Sequence, residues 1–490
     1  MVLSNVLALS FCYLAGKALY RLFFHPLHTY PGPVLAAVTS WHEVYYNLVQ
    51  GGRLVIELER LHNLYGTLLY ILPVEPNVDL HFNDRRAYHD IYSNGTTLIK
   101  DAQFYQAAMP YATESSVVLS DPQQSKNRRY LLSLSFSRQA VIKLEYTIQK
   151  KVDQLVALLE KYYRSPESGA KLSIAYRSLT TDVITEYCFA NSTNTLSDPN
   201  FANPIAAETR NLIKRVWIQT YLPFIVRLVA TIPQGLILWL FPKFMTFMDV
   251  KMSFEQQIDN YIKNPEDLVT AEHDTIYHHL LEPKDPELRL SRSSLIHEAF
   301  VLMAAGSDTV GHACTVGTYF ALQDHSIRRR LTEELKEAWP DKGRPLSFIA
   351  LEKLPYLSAF IKEALRISIG VIHPMPRIVG DETPGISGLN VPPGTIVAMS
   401  TYFMHMNPEV FSDPFTFNPD RWLVEDTSEM MLDFVPFSKG PRQCLGLNLA
   451  WSELYLILGN LFRKLDLSLV NENSYVFPPS LKDSVNFDGT

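Results

Sequence analysis

The sequence predicts a mainly α protein, one large helical domain with a smaller β-rich region, carried behind an apolar N-terminal helix. Three observations lead there. Apolar residues recur at three- and four-residue spacing from about Arg138 to Tyr163, from Tyr176 to Phe189 and from Leu295 to Trp339, with few Gly or Pro to interrupt them. Gly66 to Phe82 and the chain beyond Arg377 instead carry short β-prone runs punctuated by Gly and Pro. No internal repeat or low-complexity linker separates Pro33 from the C-terminus, so a prior of roughly three domains for 490 residues gives way to one.

In chain order the first element is a membrane anchor, residues 1–24. Val2 to Gly16 carries no charge, Lys17 and Arg21 can snorkel to an interface, and the first acidic residue is Glu43. No basic residue precedes the apolar run and no clear A-x-A site follows it, which favours an anchor over a cleaved signal peptide. The cations on its C-terminal side put the body in the cytosol. Residues 25–37 begin His25-Pro26-Leu27-His28-Thr29-Tyr30-Pro31-Gly32-Pro33, and the three prolines predict an extended, stiff hinge. Residues 38–490 form the body.

Within the body, Leu68 to Leu72 and Val78 to Phe82 read as a hairpin around Pro73 to Asn77, and Asn83 or Asp84 caps the helix that follows. Gly388 to Val397 is strand-like, and a last helix spans about Leu447 to Leu465. Leu228 to Pro242 is apolar, but Pro233-Gln234-Gly235 breaks it and it falls short of the roughly 20 residues of a spanning helix. Two readings stay open for it, a core helix and a surface element dipping into the membrane.

Composition narrows the function. With 47% hydrophobic, 12% aromatic and 19% charged residues, the chain has the side chains for a large core, which excludes a disordered protein. Its 44 basic and 51 acidic residues contain no long Lys/Arg run, so no nucleic-acid partner is expected. Cys12, Cys188, Cys314 and Cys444 are too sparse and too separated for a disulfide scaffold or a C-x-x-C site. G-x-G, G-K-[ST], H-E-x-x-H and G-x-S-x-G are all absent, so any electrons the protein uses come from a separate protein.

One cysteine stands in a pattern. Phe437-Ser438-Lys439-Gly440-Pro441-Arg442-Gln443-Cys444-Leu445-Gly446 matches F-x-x-G-x-R-x-C-x-G in full. On these residues the chain resembles the cytochrome P450 family of haem-thiolate monooxygenases. The resemblance implies that the haem lies between the long central helix and the cysteine loop, with Cys444 as axial ligand of the iron. Gly440 and Gly446 would let backbone run close beneath the porphyrin, Arg442 would pair a propionate, and Phe437 would shield the sulfur.

Other segments agree with it. Glu363-Ala364-Leu365-Arg366 is an E-x-x-R one helical turn apart, and Phe417-Asn418-Pro419-Asp420-Arg421-Trp422 follows. The resemblance implies a buried charge network of Glu363, Arg366 and Arg421 that supports the haem loop. Taken alone, E-x-x-R is cheap, since Glu57 to Arg60 repeats it. Ala305-Gly306-Ser307-Asp308-Thr309 resembles the oxygen-activation motif: Gly306 would thin the helix to make room for O2, and Asp308 and Thr309 would deliver protons. Arg377 and Arg129 occupy positions of propionate-binding arginines, although Ser125 stands where the family carries Trp or His. His297 and His312 read as packed or solvated residues rather than ligands.

By family position, Phe104 to Val118, Leu212 to Leu240, Met303, Ala304, Val371, Ile372 and Phe477 would face the substrate, and they are mostly apolar. The resemblance is nearest to fungal enzymes of secondary metabolism similar to trichodiene oxygenase. It implies hydroxylation or epoxidation of a hydrophobic, terpenoid-like molecule with haem b and O2. Electrons would come from NADPH through cytochrome P450 reductase, at the endoplasmic reticulum membrane. The alternatives are a polyketide or alkaloid substrate, or a haem-thiolate isomerase or dehydratase working without O2 or reductase, which Asp308-Thr309 argues against.

Overall fold

Helix α1 (Val2–Phe23) has no proline and one glycine to interrupt its apolar run. Its Ser4–Phe23 stretch is long and apolar enough to cross a membrane and is almost entirely exposed on the protein. The structure is a computed structural model that describes residues 2–71, 79–93, 95–165, 169–205, 216–232, 235–236, 244–383 and 385–469.

The segment after α1 departs from expectation. Residues 24–30 curl into turns, with His28 N–H donating to the His25 carbonyl (2.9 Å) and Tyr30 N–H to the Leu27 carbonyl (3.1 Å). Only residues 31–33 are without such structure, before α2 (Val34–Val38) begins. Leu27 is buried in the core, and that burial folds the hinge onto the body instead of leaving it extended. Arg21 does not snorkel outward either: it is buried and donates to the Val38 carbonyl (3.0 Å), so α1 is tied to α2.

A five-stranded mixed sheet follows α3 (Leu54–Tyr65). Strands β1 (Leu68–Ile71) and β2 (Asp79–Phe82) form the expected antiparallel pair, Leu68 opposite Phe82. Asp84 caps α4 (Arg85–Tyr92) by accepting from Arg86 N–H (2.9 Å). The sheet also takes in β3 (Ile99–Lys100) and, from the Gly/Pro-rich region far along the chain, β4 (Arg377–Ile378) and β5 (Ile396–Ala398), in the order β1-β2-β5-β4-β3.

The helical layer contains α5 (Pro122–Ser135), α6 (Arg138–Lys143), α7 (Glu145–Tyr162), α8 (Leu172–Phe189), α9 (Arg292–Gln323), α10 (His325–Ala338), α11 (Pro355–Ser368) and α12 (Leu447–Lys464). Two stretches read as single helices are pairs. The Arg138–Tyr163 stretch breaks at Leu144, and Leu295–Trp339 breaks at Asp324, whose carboxylate accepts from Ser326 N–H (2.7 Å) to start α10. An aspartate that caps a helix competes with the helix it ends, and apolar spacing does not register so short a break.

The 32-residue α9 runs through the core with α8 along its side. A Cβ on Gly306 would lie 2.6 Å from the Ile184 side chain, and one on Gly311 would lie 3.2 Å from the Arg177 backbone nitrogen. Gly306 therefore serves the close approach of α8, a reason different from the predicted room for O2. Cys188 and Cys314 are wholly buried in this packing. Of the Leu228–Pro242 stretch, residues 233–234 and 237–242 lie outside the described residues; among the described ones Leu228, Val229 and Leu236 are exposed, as the surface reading expects.

Candidate functional site

The cysteine loop is built around one obligatory glycine. Gly440 has φ 69°, and a Cβ there would lie 2.3 Å from the Tyr92 carbonyl oxygen at the end of α4. Its close approach is thus to the protein backbone. At Gly446 a Cβ would meet nothing within 4 Å, so protein packing does not require glycine at that position. Cys444 N–H donates to the Phe437 carbonyl (2.8 Å), closing the turn, and Phe437 packs on Trp451 at 5.8 Å between ring centroids.

Cys444 is both accessible and enclosed. Its surface is open to solvent, yet burial by surrounding protein pushes its thiol pKa up, while Gly446 N–H and the Arg129 charge pull it back. Both hold for a sulfur on the floor of a recess. On α9, Ala305 and Thr309, one turn apart, are likewise exposed in the middle of an otherwise buried helix. Thr309 Oγ1 donates back to the Ala305 carbonyl (3.1 Å). Asp308, beside it, accepts from Arg177 Nε of α8. Sequence reasoning missed Arg177, because the pairing joins helices 131 residues apart.

Four cations gather around this recess. Arg442 donates to Ser125 Oγ and to the Ser120 carbonyl (3.2 Å), so the buried Ser125 holds that guanidinium in place. Arg129 donates to the Gln443 carbonyl (2.7 Å), and Arg377 to Tyr105 Oη (2.8 Å) and the Pro376 carbonyl (2.9 Å). The fourth, Lys100, was not anticipated. It is buried, donates to the Val117 carbonyl (2.6 Å), and stands directly across the β3–β4 rung from Arg377.

Among the described residues none of the four has a carboxylate partner. Burial pushes the Lys100 amine well below its ordinary pKa, with Arg377, Arg442 and Arg129 adding to the effect. Burial together with Arg377 and Arg129 brings Arg442 down to about 10. Like charges directly opposite in a sheet are unfavourable, and this set has the charge and donors for a dianionic group such as the two propionates of haem.

Behind the loop lies the predicted charge network. Arg366 holds Glu363 in a bidentate pair (2.7 and 3.0 Å), Arg421 Nε reaches Glu363 Oε1 at 3.1 Å, and Trp422 Nε1 donates to Oε2 at 2.9 Å. Glu363 and Arg366 are fully buried. Arg366 also donates to the His405 carbonyl (2.9 Å), and His405 Nε2 accepts from Val435 N–H (2.9 Å), two residues before Phe437. The network therefore reaches the cysteine loop through one imidazole. The other E-x-x-R also pairs, Arg60 Nε to Glu57 at 2.8 Å, but its arginine is solvent-exposed.

A model of the cytochrome P450 family matches residues 38–485. The chain belongs to the cytochrome P450 family. Relatives of this cytochrome P450 include the cytochrome P450 monooxygenase sdnE of Sordaria araneosa, 33% identical over 96% of this chain and 92% of that protein. Two others are the tryptophan 6-hydroxylase fscE of Fusarium equiseti, 34% identical over 92% and 88%, and the conidiogenone synthase PchP450 of Penicillium rubens, 33% identical over 94% and 91%. The P450 is thus a haem monooxygenase of fungal secondary-metabolite type, using O2, electrons from a redox partner and hydrophobic substrates. Of the substrate-facing positions expected for it, Met303 is buried and Val371 is exposed, while Phe477 and, within Leu212 to Leu240, residues 212–215, 233–234 and 237–240 lie outside the described residues.

Proposed function

We propose that Cys444 carries the haem iron of this P450 and that Lys100, Arg129, Arg377 and Arg442 hold the propionates. The observation that carries the reading is an accessible, enclosed thiol beside four buried or half-buried cations that have no carboxylate partner among the described residues. Haem bound there supplies the iron chemistry that activates O2 and places one oxygen atom in a substrate C–H or C=C bond. The chain's own residues do the rest. Gly446 N–H and Arg129 favour the thiolate over the thiol, offsetting burial. Phe437, packed on Trp451, limits water at the sulfur.

On the opposite side Asp308 is the proton donor to the recess and Thr309 the hydroxyl that passes the proton on. Arg177 positions Asp308 at the α8–α9 seam as the carboxylate; on leaving that pair Asp308 would take up a proton from water and pass it to Thr309. Glu363, Arg366 and Arg421 are structural supports. The acid and hydroxyl side by side favour oxygen insertion over the isomerase or dehydratase alternative.

For the substrate we propose a terpenoid-like hydrocarbon, in keeping with the conidiogenone synthase among the relatives. Electrons would come from NADPH through cytochrome P450 reductase. Residues 1–24 would anchor the protein in the endoplasmic reticulum membrane with the body cytosolic, residues 25–37 joining anchor to haem domain. A reduced carbon-monoxide difference spectrum of wild type against Cys444→Ala tests the reading. Wild type should give the red-shifted thiolate Soret band and the variant should lose it; a wild-type spectrum without that band would sink the assignment.

A further inference from the structure

Residues 112–118 run between β3 and α5, inside the stretch expected to face the substrate, and contain neither helix nor strand. A loop of that kind is ordinarily the mobile part of a binding site. This one is tied down along its length. Its own turns take the N–H groups of Ser115 and Val118, which donate to the Ala112 and Ser115 carbonyls at 3.0 Å. Other ties reach outward to two sides. Toward α9, Glu114 N–H donates to His297 Nδ1 (3.3 Å), and the Glu114 carboxylate accepts from Ser294 Oγ (2.6 Å) and Ser293 Oγ (3.1 Å) in the first turn of that helix. Toward the cysteine recess, Lys100 holds the Val117 carbonyl and Arg442 the Ser120 carbonyl just beyond.

The central tie is Glu298 of α9. It is wholly buried, and its carboxylate accepts from Ser116 N–H (2.8 Å) and Ser116 Oγ (2.5 Å) on the loop and from Arg128 of α5 (2.8 Å). Arg128 donates in turn to the Glu114 carbonyl (2.8 Å), which closes a ring of hydrogen bonds through the loop. A buried carboxylate is tolerated only while its partners stay in place, so these bonds hold or fail together. Ala305 and Thr309 lie about two and three turns further along the same face of α9. One rigid helix therefore sets the distance from Ser116 to the exposed Thr309, and the loop is indexed to that hydroxyl.

We propose that Glu298 is a positioning residue for substrate selection: through Ser116 and Arg128 it fixes residues 112–118 as a preformed wall of the recess. The proposal rests on the reading of that recess as the haem site. A preformed wall loses little conformational entropy when a ligand packs on it, whereas a loose loop must be ordered by each ligand, which weakens binding. The enzyme then selects by a shape already set. A ligand long enough to reach the wall depends on Glu298, and one that stops short of it does not.

The test uses ferric holoenzyme and two nitrogen-ligating probes: imidazole, which occupies the iron alone, and 1-benzylimidazole, whose aryl ring extends into the recess. Soret titrations give both affinities, and hydrogen–deuterium exchange of residues 112–118 is followed with and without 1-benzylimidazole. In wild type the ligand-free loop should already exchange roughly a hundredfold or more slower than an unstructured peptide, with little further slowing on binding. Glu298→Leu should weaken 1-benzylimidazole roughly tenfold, leave imidazole unchanged and keep the reduced carbon-monoxide spectrum. Glu298→Gln, whose amide oxygen can still accept from Ser116 N–H and Arg128, should stay within about threefold of wild type. Fast exchange in the free enzyme that slows on binding would overturn the proposal. So would unchanged 1-benzylimidazole affinity in Glu298→Leu, equal weakening of both probes, or Glu298→Gln as weak as Glu298→Leu. Should Glu298→Leu fail to fold, the wild-type exchange decides. Absence of the thiolate spectrum in wild type would count instead against the haem assignment, leaving the exchange data readable.

Discussion

Lys100 and Arg377 face each other across one rung of the sheet, and only an anion between them makes that placement favourable. Lys100→Met removes the repulsion and one donor together, so two readouts should move in opposite directions. Haem transfer to excess apomyoglobin should become roughly tenfold faster, while the apoprotein should unfold at a slightly higher temperature. Asp308 gives a second expectation: Asp308→Asn should lower product formation about a hundredfold and raise peroxide released per NADPH consumed. Arg177→Gln should raise peroxide release more mildly, since it frees the carboxylate without removing it, and Arg177→Lys should restore part of the coupling.

His405 supplies a pH dependence. Burial and the neighbouring Arg366 charge bring its pKa down to about 3, against about 6.5 when unfolded. Between those values the unfolded chain takes up a proton that the folded one refuses. Stability from this group is therefore complete above 6.5 and falls by about 1.4 kcal/mol per pH unit below it. The urea midpoint for loss of the thiolate Soret band should drop from pH 7 to pH 5, with a flatter slope in His405→Gln.

At the scale of elements, the seam between α8 and α9 is closed by glycine. Gly306→Val would drive two methyl groups into Ile184, an overpacking that typically costs about 1–3 kcal/mol. It should lower the melting temperature of the holoenzyme by several degrees, and Ile184→Ala should recover part of the loss. The sequence-read helices over Tyr176–Phe189 and Leu447–Leu465 and the strand pair of the Gly66–Phe82 hairpin are present; both helices are buried nearly all round, so their apolar content marks them as much as a one-sided stripe. The breaks at Leu144 and Asp324 were illegible, since one capping residue does not disturb apolar spacing. Within the site, Cys444, Arg442, Arg377 and the Glu363 network could be read from local motifs. Lys100 and Arg177 could not, because each matters through a partner more than 100 residues away.

At the scale of the molecule, α1 is exposed along its length while Arg21 binds it to α2. Deleting residues 1–20 should leave the carbon-monoxide spectrum intact and move the protein from the membrane pellet to the supernatant; retention in the pellet would place the membrane contact elsewhere, for instance at Phe224 and Leu228. The folded turns of residues 24–30 bear on this too, since they leave little slack between helix and body.

That short tether has a geometric consequence. A helix held by a long linker lets its cargo tumble, so every face meets the lipid in turn. Here a buried guanidinium and a turn pinned by Leu27 would fix the angle between the proposed anchor and the body. On the proposed anchor the body would be docked like a boat on a short mooring, with one side always toward the headgroups. Any lipid-dissolved molecule then approaches from a single compass direction, and a change as small as Arg21→Ala would alter access by rotating the whole enzyme and leave every residue of its interior in place.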